Sequence, residues 1–155
     1  MISQNEANYQ LNIDKQRVDE NIVQFPLKGS KVSVKIESFD KKLYFNLDVN
    51  NTPSTNSKIT YQTRNLESVI LVRLDINSAH RNPIVDNPPL PQFLPYNGML
   101  IKGTHIHFYV ENFFDSWAIP IEDMRFSNGD YELLNYFYKI SSIIKPPIFE
   151  YGFAI

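Results

Sequence analysis

Lys31-Val32-Ser33-Val34-Lys35-Ile36-Glu37 decides the fold class, because here the apolar residues settle into a period of two. Val32, Val34 and Ile36 alternate with charged or hydroxyl side chains, the pattern of a strand with one face buried and one in water. Phe39-Asp40-Lys41-Lys42 supplies a turn, and Leu43, Phe45, Leu47 and Val49 repeat the alternation, so the two runs make a hairpin. Outward from it, residues 50–57 read as a polar loop, 59–63 as a third strand and 69–76 as a fourth. In the fourth, Ile70, Val72, Leu74 and Ile76 share a face, while Arg73 and Asp75 share the other with Val69 and Leu71. Residues 100–110 read as a fifth strand and 117–121 as a sixth, whose Pro120 marks an edge or an end.

Both flanks look helical. Residues 1–24 form a helical N-terminal segment up to Phe25-Pro26, with Ile2, Tyr9, Ile13, Val18 and Ile22 at roughly helical spacing. Ser127-Asn128-Gly129-Asp130 marks a second helix start in capping-box register. Leu133, Leu134, Phe137, Ile140 and Ile144 follow on one helical face, and Pro146-Pro147 stops it. Phe149, Tyr151 and Phe153 then alternate in a short terminal strand. The expected fold is α+β: a mostly antiparallel sheet or partly open barrel of about six strands, with an N-terminal and a C-terminal helix. The 155 residues fit a single domain. Five of the ten prolines (Pro83, Pro88, Pro89, Pro91, Pro95) make residues 83–99 a stiff loop, suited to covering the fold or to docking on a partner's aromatic groove.

Composition narrows the chemistry. With no cysteine, disulfides, thiolate catalysis and Cys-ligated metal centres are excluded, leaving imidazole and oxygen as ligands. A net charge of −2 advertises neither a nucleic-acid nor a membrane binder. Residues 1–20 lack the apolar core of an export signal and no run is long enough to span a membrane, so the expected location is cytoplasmic.

All three histidines fall within residues 80–107. Read as a strand, Gly103-Thr104-His105-Ile106-His107-Phe108-Tyr109 places His105, His107 and Tyr109 on one face, and pairing with the fourth strand would bring His80 to them. Three uses stand open. Zinc could bind through His105 and His107, completed by His80 or by Asp75, Asp86 or Glu111. Without any cofactor, the imidazoles could act as base and acid on a phosphodiester. Arg81, Lys102 or Tyr109 would then hold the anion, with Lys102 joining only if Gly103 bulges the strand. Alternatively the histidines are structural, His80 capping a turn and His107 bonded beneath the proline loop. Arg73, Arg81 and Arg125 are candidates for a phosphate-facing patch, Trp117 and Tyr109 for stacking platforms, and Asn82 for orienting a histidine or closing its turn.

The runs Leu71-Val72-Arg73-Leu74-Asp75-Ile76, His80-Arg81-Asn82-Pro83, Gly103 to Tyr109 and Trp117-Ala118 together resemble DUF6978, a domain of unknown function from Firmicute bacteria, their phages and mobile elements. The resemblance covers about residues 25–140 and implies a setting of toxin–antitoxin or phage–host conflict. Two roles follow as expectations. One is a toxin-like endoribonuclease or phosphodiesterase with His80, His105 and His107 catalytic and Arg73, Arg81, Asn82, Tyr109 and Trp117 binding substrate. The other is a phage-encoded inhibitor that blocks a host defence protein, such as a CRISPR effector, without catalysis. The expected partners are accordingly RNA or a host or cognate protein, with a homodimer possible for either.

Overall fold

The hairpin read from the sequence, β3 (Ser30–Ser38) and β4 (Tyr44–Thr52), lies within a curled sheet of eight strands. The structure is a computed structural model that describes residues 1–55, 57–121 and 130–152. In chain order the other elements are α1 (Gln4–Asn12), β1 (Lys15–Arg17), β2 (Ile22–Gln24), β5 (Lys58–Asn65) and β6 (Ile70–Arg81). A 3-10 turn (Pro91–Tyr96) follows, then β7 (Leu100–Phe108), β8 (Ala118–Pro120), α2 (Asp130–Ile140), β9 (Ile143–Lys145) and β10 (Ile148–Glu150). The sheet order is β8-β7-β6-β5-β4-β3-β1-β9, antiparallel except at β1–β9, and β10 pairs with β2 in a separate parallel pair.

Register divides the sheet into two unlike faces. Ile36 faces Phe45, Leu47 faces Thr63, Tyr61 faces Leu74 and Leu74 faces Ile106. This apolar face forms the core with Ala7 of α1 and Leu133, Leu134 and Phe137 of α2. On the opposite face two polar rows cross the strands. One runs Lys31–Asn50–Thr60–Asp75–His105, the other Ser33–Asp48–Gln62–Arg73–His107. Directly opposed residues point the same way, so each row is a continuous line of side chains.

The α+β expectation holds, with eight strands in the sheet instead of about six. The additional strands, β1 and β9, are three residues each, too short to show an alternation. Their appearance also corrects the N-terminal segment, which is helical only over Gln4–Asn12. Ser3 caps that helix by accepting from the Glu6 N–H, and Ile13 turns extended. Lys15 then donates to the carbonyls of Leu11, Ile13 and Ser141, filling acceptors that helix ends leave open. The C-terminal helix stops at Ile140, and Ile144 belongs to β9. The cap expected at Ser127, Arg125 of the arginine patch and Phe153 of the terminal strand lie outside the described residues.

A candidate histidine–aspartate centre

Strand β6 continues to Arg81, past the expected end at Ile76, because it carries a bulge. Asp75 faces His105 and Ser78 faces Gly103, so two residues of β6, Ile76 and Asn77, oppose Thr104 alone. Asn77 takes the left-handed conformation (φ 55°), and Gly103, opposite the next residue Ser78, also has a positive φ (90°). Asn tolerates that region better than most residues, and its side chain is anchored on the Ser57 carbonyl at 2.7 Å. One extra residue reverses the parity of everything beyond it. His80 therefore joins the face of Arg73 and Asp75.

The three imidazoles do converge. Ring centroids are 4.5 Å apart for His80–His107, 4.9 Å for His105–His107 and 5.9 Å for His80–His105. Each ring spends one nitrogen on a backbone carbonyl: His105 Nδ1 on Gly103, His107 Nδ1 on Asp115 and His80 Nε2 on Ser116, all at 2.8 Å. A carbonyl only accepts, so those nitrogens carry the protons and fix the tautomers. The Nε2 atoms of His105 and His107 are left facing Asp75 Oδ2, at 3.4 and 3.2 Å. His105 and His107 are 0% exposed and Asp75 9%.

Arg73 closes the network. It donates to Asp75 from Nε, to Asp115 from Nη1 and to His107 Nε2 from Nη2, the last at 3.0 Å. Burial pushes His107 below its ordinary pKa, aided by the Arg73 charge and opposed by Asp75. For Asp75, burial alone would raise the carboxyl. The Arg73 guanidinium and the Thr60 hydroxyl, both donating to it, outweigh burial and hold the group well below the usual carboxylate range. The result is an ionised carboxylate beside a neutral His107.

A family model matches residues 2–142 of the chain. The chain belongs to DUF6978, a family of unknown function. The matched span contains the whole centre, Arg73, Asp75, His80, His105, His107 and Asp115, and leaves β9 and β10 outside. No curated protein and no solved structure matches it. Among the described residues, no helix is long and apolar enough to cross a membrane.

Within the family span, the other expected site residues are placed differently. Tyr109 lies past the end of β7, and its hydroxyl donates to the Ile2 carbonyl at 2.6 Å within the core, away from the histidines. Trp117 is fully buried and stacks on Phe93 at 5.1 Å, so the proline segment already occupies the ring that would have held a base. Asn82 is a buried latch, donating to the Tyr96 and Ala118 carbonyls and accepting from the Ala118 N–H. Arg81 and Lys102 sit on the opposite parity from His80 and His105, and Arg81 donates to the Gly98 carbonyl. The bulge near Gly103 serves His80, not Lys102. Asp86 and Glu111 are exposed, and Glu111 instead accepts from the Gln4 N–H. Thr60 and Asp115 join the centre unannounced. Only register brings Thr60 opposite Asp75, and Asp115 arrives on a loop with no periodic signal.

The polar rows also lead somewhere. A cavity of 520 Å³ lies over the face of β3–β5, lined by Lys31, Ser33, Asp48, Asn50, Thr60, Gln62 and Arg64 with the flanks of Val32 and Val49. Thr60 bridges the two regions, since it lines the cavity and donates to Asp75 at 2.8 Å.

Proposed function

We propose that this protein is a cytoplasmic, toxin-like endoribonuclease or related phosphodiesterase that works at the histidine cluster. The observation that carries the reading is the convergence of His80, His105 and His107 with Arg73 at the head of a polar groove. Proton transfer falls to His80. It is the half-exposed imidazole of the three, and with Nε2–H held by Ser116 its Nδ1 offers a lone pair to an attacking hydroxyl. Buried His105 and His107 fix the charge and position of Asp75 and Arg73, and the Arg73 guanidinium meets the phosphate. Lys31 and Arg64 line the groove where the flanking nucleotides would run.

The test is cleavage of single-stranded RNA by the purified chain and by His80→Gln. General acid–base catalysis contributes about 10²–10⁴-fold, so the variant should lose at least about 100-fold in rate with its melting temperature unchanged. Full activity in His80→Gln removes the assignment.

One observation favours the inhibitor reading. Ile84, Leu94, Met99 and Leu100 are all exposed on or beside the proline segment, more apolar surface than a covering loop needs. There, a single host protein should copurify with the chain, and Ile84→Glu with Leu94→Glu should abolish the complex. An unaltered complex removes the loop's role. In both readings the outer strands of the sheet, β8 and β9, offer a route to a homodimer.

A further inference from the structure

The geometry points to a divalent metal ion of the zinc class, held by Asp75 Oδ2, His105 Nε2 and His107 Nε2. These three atoms lie within 4.8 Å of one another. Zinc takes nitrogen and oxygen ligands at about 2.1 Å, which sets neighbouring ligands of a tetrahedron about 3.4 Å apart. The two oxygen–nitrogen separations, 3.4 and 3.2 Å, already have that length. The outer partners are in place as well. Both imidazoles donate Nδ1–H to backbone carbonyls, those of Gly103 and Asp115, and Asp75 Oδ1 accepts from Thr60. Such partners lock the tautomer that exposes the ligating lone pair.

A second observation is independent of that spacing. Among the described residues, only two buried side-chain polar atoms lack a hydrogen-bond partner, His105 Nε2 and Trp117 Nε1. Leaving a buried acceptor without a donor is costly, and here its lone pair also faces a carboxylate. A cation between the two relieves both terms. Arg73 does this in part for His107, through the 3.0 Å contact from Nη2. It must withdraw for the ion to bind, and its bond to Asp115 gives it a second anchor. The remaining coordination position then opens toward Arg73, for water or a phosphate oxygen.

This inference does not depend on RNA cleavage, because metal uptake is read without a substrate. The experiment is zinc titration of the full chain carrying ¹⁵N-labelled histidine. One zinc should bind per chain, moving the Nε2 signals of His105 and His107 while their protonated Nδ1 signals persist. Asp75→Asn keeps the shape of the side chain and should weaken binding by about 100-fold or more. Arg73→Gln removes the competing cation and should tighten it. Three results overturn the proposal: no uptake, uptake that leaves those two Nε2 signals unmoved, or an affinity unchanged in Asp75→Asn.

Discussion

Lys15 and the Asp75–His105–His107 centre are both buried polar groups, yet they are built on opposite terms. Lys15 is 0% exposed, and each of its three ammonium protons has a carbonyl, from Leu11, Ile13 and Ser141. Its charge joins the C-terminal ends of both helices, where the helix dipole favours a cation. Nothing there is left to bind. The histidine centre is equally buried, but it leaves the His105 nitrogen without a donor and lends an arginine to the His107 nitrogen. Complete satisfaction marks a structural bracket. Incomplete satisfaction, with every supporting bond in place, marks a site shaped for something else.

The largest expected effect on stability falls on the first region. Lys15→Met leaves one buried and two partly buried carbonyls without their donor and should cost about 3 kcal/mol, or roughly 10 °C in melting temperature. Zinc should still move the His105 and His107 signals in this variant; a lost response would join the two regions that the comparison separates. Burial pulls the Lys15 ammonium from 10.5 down to about 7, against the attraction of Asp14. Between those values the unfolded chain holds a proton that the folded chain does not, so this group makes stability rise with pH from about 7 to 10. Denaturant titrations across that window should show the rise in the native chain and its absence in Lys15→Met.

A smaller effect is expected at the bulge. Asn77→Val forces a β-branched residue into the left-handed region, at a cost of about 1–2 kcal/mol. If parity beyond the bulge is what delivers His80, RNA cleavage should fall far more than stability, and Asn77→Gly should restore most of it. Equal losses in both would mean that the bulge serves folding alone.

The smallest belongs to Asp48, on the same polar face but partly in water and paired with Arg64 at 2.6 Å. Burial raises its carboxyl, while bonds from Arg64, Gln62 and Ser33 outweigh that and hold it below the ordinary value. Asp48→Asn should cost under about 1 kcal/mol at neutral pH. A depressed carboxyl gives up its contribution as pH falls below the unfolded value, so the gap between variant and native chain should close below about pH 4. Urea unfolding at pH 3 and 7 measures both.

Alternation alone made the long strands legible. Val32, Val34 and Ile36, or Leu43, Phe45, Leu47 and Val49, can bury one side only as a strand, whatever surrounds them. The face that His105 and His107 share was legible for the same reason, whereas His80 was expected beyond the end of its strand. The polar three-residue strand Lys15–Arg17 was not, because it is held by its neighbours β3 and β9 and has no apolar face of its own.

By itself, then, the sequence determined the α+β class, the central hairpin, the second helix and the face that His105 and His107 share, all consequences of local periodicity. Only the tertiary structure decided who joins them. Asp75 and Thr60 come by strand register, His80 by one extra residue in β6, Asp115 by a loop, while Tyr109, Trp117 and Asn82 are drawn off into packing and latches. The physical reason is range: side-chain parity within one strand is a local property, whereas register between strands and the reversal at a bulge are set by partners 15 to 34 residues away.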